Sequence, residues 1–257
     1  ITENTMEVNG EIPMDGYDSQ SMAPLKQIIS DFASAMSSDN ITMKAMKDYF
    51  NKPSGRKAVS VSPFSSQFKY SGAAFEDGSY VLGAPEFVLR EDYDNYREQI
   101  EQYSSEGYRV LVFGIYDGVI DGKALAGKVT PLGLVFLSNP IRKEAPETFK
   151  YFENQGVEIK VISGDNPVTV SQVALQAGIA NADNYIDAST LTTDEAIEDA
   201  VLRYTVFGRV TPDQKRKFVR ALKKAGRTVA MTGDGVNDVL ALKDADCSVA
   251  MASGSDA

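Results

Sequence analysis

Apolar positions follow two different rhythms along this chain. Between residues 23 and 37, Leu25, Ile28, Ile29, Phe32 and Met36 recur at three- and four-residue spacing, which predicts a helix with one buried face. A shorter helix is expected over 42–50. Short apolar segments follow. Ala58–Val61, Phe68–Phe75, Tyr80–Leu82 and Val110–Tyr116 read as strands, with a charged, solvated helix over 93–105 before the last of them. Phe75-Glu-Asp-Gly-Ser-Tyr80 reads as a hairpin, with Asp77-Gly78 supplying the turn. This half is expected to be an α+β unit built on an antiparallel sheet.

From about residue 130 the pattern changes to strand, loop, helix. Strands expected at 132–137, 157–162, 205–207, 228–231 and 247–250 alternate with helices near 143–155, 167–177, 192–203 and 212–225. Short apolar strands separated by helices imply a parallel sheet covered on both faces. Thr211 as N-cap, Pro212 at the first position and Gln214 at the third mark one helix start. Pro167 opens another directly after Gly164-Asp165-Asn166. No internal repeat is visible. No apolar run approaches the roughly 18–20 residues that cross a bilayer. With Ile1 in place of a starting Met and no signal peptide, the sequence reads as a soluble piece of something longer.

Composition narrows the chemistry. A length of 257 residues allows one large or two modest domains. With 26 basic and 36 acidic side chains the net charge is −10, which argues against a nucleic-acid partner. There is no histidine, so Ser-His-Asp and Cys-His catalysis and most zinc sites are excluded. The single cysteine, Cys247, rules out internal disulfides, fits a reducing compartment and is expected to be a small core residue. Chemistry is left to carboxylates, lysines, arginines, hydroxyls, backbone amides and a hard metal ion.

In parallel sheets, ligands gather at the carboxyl ends of strands. Two glycine loops fall there: Ser163-Gly-Asp-Asn-Pro167, and Thr232-Gly-Asp-Gly-Val-Asn-Asp238. Glycine lets the backbone approach an anion, and the following helix start offers free N–H groups. Asp234 and Asp238 suit Mg²⁺. Ser163 can donate its hydroxyl to a phosphoryl oxygen, and Lys215 could reach the same point. A lone Gly-Asp-Gly is usually only a turn. Two such loops with the Lys215 helix are far harder to dismiss.

These residues resemble the P-type cation-transporting ATPases, on the haloacid-dehalogenase-like fold. Thr232–Asp238 is similar to that family's TGDGVND, Ser163-Gly-Asp165 to its TGD, Phe207–Lys215 to its FARVxPxxK, and Asn139-Pro-Ile-Arg142 to its DPPR. In the first half Phe64-Ser-Ser-Gln-Phe-Lys69 resembles FSxxxK, Gly83-Ala-Pro-Glu86 the tail of KGAPE, and Gly107-Tyr-Arg109 its G-x-R. Ile1–Met6 looks like the sequence that follows DKTGT, which would put the phosphorylated aspartate just before Ile1. The resemblance implies a Rossmann-like α/β phosphorylation domain, residues 1–8 and 129–257, with an α+β nucleotide-binding domain, 9–128, inserted into it.

The same resemblance implies the site. Asp234 would coordinate Mg²⁺ with Asp238 supporting it, and Ser163, Gly164, Lys215 and Asn237 would hold the phosphoryl group. Phe64 would stack on adenine, with Ser66, Lys69 and Gly83 lining the pocket and Arg109 reaching the phosphates of ATP. Arg142, Asp165 and Arg209 would sit on the hinge and ribose side. Leu82 replaces the lysine of KGAPE, Ser66 an arginine common in calcium-type pumps, and Asn139 the aspartate of DPPR, so weaker nucleotide binding is expected. The implied protein is an ATP-driven cation pump of bacterial calcium type. Its partners would be ATP or ADP, the transported cation and its own transmembrane and actuator domains, at the cytoplasmic face of the membrane. Two rivals remain: a soluble haloacid-dehalogenase-type phosphatase with a cap domain, which would need no adenine pocket, and a non-catalytic nucleotide-binding module.

Overall fold

The computed structural model describes residues 1–233 and 235–251. Two units emerge, residues 3–140 and residues 1–2 together with those from 141 on.

The first unit runs β1 (Glu7–Pro13), α1 (Leu25–Ala35), α2 (Ile41–Tyr49), β2 (Ser60–Ser62), β3 (Tyr70–Phe75), β4 (Gly78–Gly83), α3 (Pro85–Leu89), α4 (Tyr93–Ser104), β5 (Arg109–Tyr116) and β6 (Val129–Ser138). Its strands form one antiparallel sheet in the order β1-β6-β5-β4-β3-β2. Side chains alternate between two covered faces. Ala73, Phe75, Leu82, Phe113 and Val135 pack under Ile29, Phe32, Met43 and Met46 of α1 and α2. Tyr70, Val81, Val112 and Leu134 pack with Val88 and Leu89 of α3 and Ile100 of α4.

Several expectations need correction here. The 132–137 segment, read as a parallel strand, is the middle of β6 and pairs antiparallel with both β1 and β5. A strand buried on both faces reads as continuous apolar sequence whichever way its neighbours run. The two compact units divide at 2/3 and 140/141. The hairpin turn is Glu76-Asp77, because Gly78 already pairs with Phe75. Nor is the charged helix α4 merely solvated: Ile100 is buried, and Tyr103 stacks on Phe136 with ring centroids 4.0 Å apart.

The second unit contains α5 (Ala145–Asn154), β7 (Val161–Ile162), α6 (Pro167–Gln176), β8 (Tyr185–Asp187), α7 (Asp194–Arg203), β9 (Val206–Gly208), α8 (Pro212–Lys224), β10 (Ala230–Gly233), α9 (Val239–Asp244) and β11 (Cys247–Ala250). All strand pairs are parallel, in two sheets among the described residues, β7-β9-β8 and β10-β11. The Thr211 capping box forms: its side chain accepts from the Gln214 amide, and Gln214 reaches back to the Thr211 amide. Cys247 is exposed rather than a core residue, since β11 is solvent-facing along its whole length. Among the described residues no helix is long and apolar enough to cross a membrane.

Candidate phosphoryl and nucleotide sites

In the second unit the loop after β7 is tied to the loop after β9. The Ser163 amide donates to the Phe207 carbonyl at 3.0 Å, the Val210 amide to the Ser163 carbonyl at 2.9 Å, and the Arg209 amide to the Asp165 carbonyl at 2.7 Å. The Ser163 hydroxyl accepts from the Asp165 amide at 3.1 Å, and Asn166 caps α6 by accepting from the Val168 amide at 2.9 Å. A Cβ on Gly208 would lie 2.3 Å from Pro167 Cα, so only glycine lets the start of α6 come this close. Gly164 is exposed, and a Cβ there would meet only the Val210 carbonyl oxygen, at an ordinary 3.7 Å. Ser163 and Gly164 therefore lie on a braced, solvent-facing loop leading into a helix start.

The Arg209 guanidinium is committed to Asp187, at 2.5 Å. Burial works against the Asp187 carboxylate, but hydrogen bonds from the Ser189 hydroxyl and amide and the Arg209 ion pair outweigh it, and its pKa lies below the ordinary value. Arg142 is likewise committed: its Nε donates to the Thr2 carbonyl at 2.9 Å.

Lys215, in the first turn of α8, pairs with Asp238 at 2.7 Å. Asp238 is only 5% exposed, and its other oxygen accepts from the Gly235 amide at 3.2 Å. Gly233 makes this possible, since a Cβ there would lie 2.7 Å from Asp238 Cβ. Asn237 is exposed beside it. Both Asp238 oxygens are engaged, one by Lys215 and the other by the Gly235 amide, and each keeps a second lone pair. Among the described residues no group of three or more metal-ligating side chains is assembled. Asp234 lies outside the described residues.

The remaining predicted residues sit in the first unit. β2 ends just before Phe64 and Ser66, β3 begins just after Lys69, β4 ends at Gly83 and β5 begins at Arg109, so the register sets all five along one margin of the sheet. Phe64 is 49% exposed, a high value for an aromatic. It borders an open depression of about 510 Å³ lined by residues 61–65 and 120–122. Lys69 and Ser66 are exposed, and Arg109 is half-buried. A Cβ on Gly83 would lie 2.5 Å from the Lys69 carbonyl oxygen, so this glycine lets β4 lie against the entry to β3. Leu82 points into the core at 3% exposure. The eight residues expected around a nucleotide thus divide, with Phe64, Ser66, Lys69, Gly83 and Arg109 in one unit and Arg142, Asp165 and Arg209 in the other. Sequence reasoning missed Asp187 and the 120–122 turn, although Asp121-Gly122 is itself a turn dipeptide.

Residues 15–246 match the family model of haloacid dehalogenase-like hydrolases. Over its whole length the chain is 43% identical to a calcium-transporting ATPase, CtpE, of Mycobacterium tuberculosis, covering 32% of that protein. It is 38% identical to a probable cation-transporting ATPase, exp7, of Streptococcus pneumoniae, over 99% of this chain and 32% of the relative. It is 35% identical to a P-type magnesium-transporting ATPase of Salmonella typhimurium, over 61% of this chain and 18% of the relative. The chain spans about a third of the length of the first two.

Proposed function

The chain belongs to the haloacid dehalogenase-like hydrolases, and on that premise we propose that it is the ATP-binding and phosphoryl-handling part of a cation-transporting P-type ATPase. In this reading residues 3–140 bind the nucleotide and the second unit forms and breaks an aspartyl phosphate in the intact pump. Supporting it are relatives named as calcium- and cation-transporting ATPases that align along the entire chain. The transported ion is then a metal cation, and the chain works at the cytoplasmic face of a membrane.

One observation carries the proposal. The same chain pairs Lys215 with a buried Asp238 under a glycine loop and leaves the Phe64 ring exposed beside a depression. A phosphatase requires the first but not the second. Lys215 and the amides of the two loops would spread the charge of a transferring phosphoryl group, with Ser163 and Asn237 as neutral donors. We assign Mg²⁺, the usual companion of ATP, to Asp234, and make Asp238 a positioning carboxylate held by Lys215.

Titration calorimetry and chemical-shift mapping with ATP test this reading. Base stacking on an aromatic side chain is worth about 1–3 kcal/mol, so Phe64→Ala should weaken ATP binding roughly 5- to 150-fold. Lys69→Ala should do less, as an exposed charge contact is worth about 0–1 kcal/mol. Shifts confined to residues 160–240, or an unchanged affinity in Phe64→Ala, would refute it.

A further inference from the structure

The 187–191 turn belongs to no motif that suggested phosphoryl chemistry, yet it reaches both halves of that site within the second unit. β8 ends at Asp187, which pairs in register with Gly208 at the end of β9. One oxygen of the Asp187 carboxylate accepts from the Ser189 amide at 3.0 Å and the Ser189 hydroxyl at 2.6 Å, closing the turn. The Ala188 carbonyl accepts from the Gln214 side chain at 2.7 Å, beside Lys215 on α8. The other carboxylate oxygen takes the Arg209 guanidinium. Asp187 is therefore held in place by its own turn and by α8, and it spends its remaining oxygen on Arg209.

Arg209 is where the ladder breaks. In an uninterrupted parallel ladder, a residue that donates to Phe207 accepts from the residue two positions on, here Arg209. Ser163 does donate to the Phe207 carbonyl, but it accepts from Val210, and the Arg209 amide turns to the Asp165 carbonyl. One residue is looped out, as in a β-bulge, and Arg209 takes it up with φ +51. Left-handed backbone of this kind is ordinarily left to glycine, because a Cβ crowds the neighbouring carbonyl. An arginine stays there only where its surroundings over-determine the conformation. The ion pair supplies that hold. The two side chains are 27% and 26% exposed, so the pair is partly withdrawn from water and stronger than one on the open surface.

We propose that Asp187 is a positioning residue for the phosphoryl loop. By holding the Arg209 side chain it keeps residue 209 left-handed, and so keeps Ser163, Gly164 and Asp165 clamped onto the 207–210 segment. That this loop handles a phosphoryl group rests on the reading above. The inference deepens that reading by naming what fixes the loop's shape before any ligand arrives.

Amide hydrogen exchange on the full chain and on Asp187→Ala, Arg209→Gly and the doubly substituted variant tests the clamp. Asp187→Ala should speed exchange of the Ser163, Arg209 and Val210 amides about 5- to 30-fold, while amides of β5 keep their wild-type rates. Glycine adopts the left-handed turn without an ion pair. In the Arg209→Gly chain, further loss of Asp187 should therefore leave the Ser163 and Val210 rates within about twofold. If Asp187 served only to close its own turn on Ser189, its removal would act alike in both backgrounds. That result, or unchanged rates in Asp187→Ala, overturns the proposal.

Inorganic phosphate, titrated while the amide shifts are followed, separates the clamp from the chemistry. It should shift the Ser163 and Gly164 amides of the wild type, and Asp187→Ala should need several-fold more phosphate for the same shift. Equal titrations in the two chains overturn the positioning role. If exchange responds as expected but phosphate leaves the loop unshifted in the wild type, the phosphoryl reading falls and the clamp stands.

Discussion

The two units are stabilised by different means. In residues 3–140 both faces of a six-stranded sheet are sealed by large apolar clusters, with Phe32, Phe50, Phe113 and Tyr70 fully enclosed. From 141 on the apolar clusters are small, one consisting of Val219, Val229 and Ala241 with partly buried neighbours. Charge does much of the ordering instead. Along α8, Lys215 pairs with Asp238, Arg216 and Arg220 share Asp244, Lys217 takes Asp194, and Lys224 takes Glu198. Apolar packing is non-directional and gives a stiff platform, which suits a binding margin. Ion pairs with fixed geometry hold particular loops in particular places, which suits phosphoryl chemistry.

The largest expected effect comes from opening the sealed sheet. Phe113 is fully buried, edge-on to Phe32 with centroids 5.3 Å apart and stacked on Tyr80 at 5.6 Å. Phe113→Ala should cost about 3–5 kcal/mol, read as a fall in the denaturant midpoint. Amide exchange should sharpen the same contrast, with β3 to β6 protected far longer than β11. Equal protection would remove it.

Next comes the buried ion pair. Lys215→Ala leaves the Asp238 carboxylate enclosed without its cation, and about 3 kcal/mol should be lost, the lower end for such an orphaned charge. Adding Asp238→Asn should recover part of that loss. If Lys215→Ala were neutral, polar ordering would not explain the second unit.

Acid should separate the regions further. The Asp187 pKa is depressed below its ordinary 3.8, so the stability it contributes is fully present above that pH and is lost as pH falls through the lower folded value. Arg209→Gln should shrink this acid-sensitive contribution, seen as a smaller drop in melting temperature below about pH 4. The smallest effect should come from Arg220→Ala. Its side chain is 57% exposed and Arg216 remains on Asp244, so a change within about 0–1 kcal/mol is expected.

Much of this organisation was legible in the sequence because local signals agreed with tertiary ones. The amphipathic spacing of α1, the Thr211 capping box and the glycine loops each specify structure through neighbouring residues. What escaped depended on partners far away. β1, with Glu7, Asn9 and Glu11 among its residues, becomes a strand only because β6 offers it an edge. Asp187 becomes a site residue only through Arg209, 22 positions on. The side of the fold on which β6 belongs is likewise invisible in a run such as Leu-Val-Phe-Leu.

The position of Cys247 has a practical corollary. The chain's one thiol is open to solvent, on a strand whose residues 247–250 pair one for one with the 230–233 segment that enters the Asp238 loop. A maleimide dye would therefore attach at a single place, with no engineered substitution, on the strand beside that loop. Any change in the loop on adding ATP, Mg²⁺ or phosphate could then be followed by fluorescence in the unaltered protein.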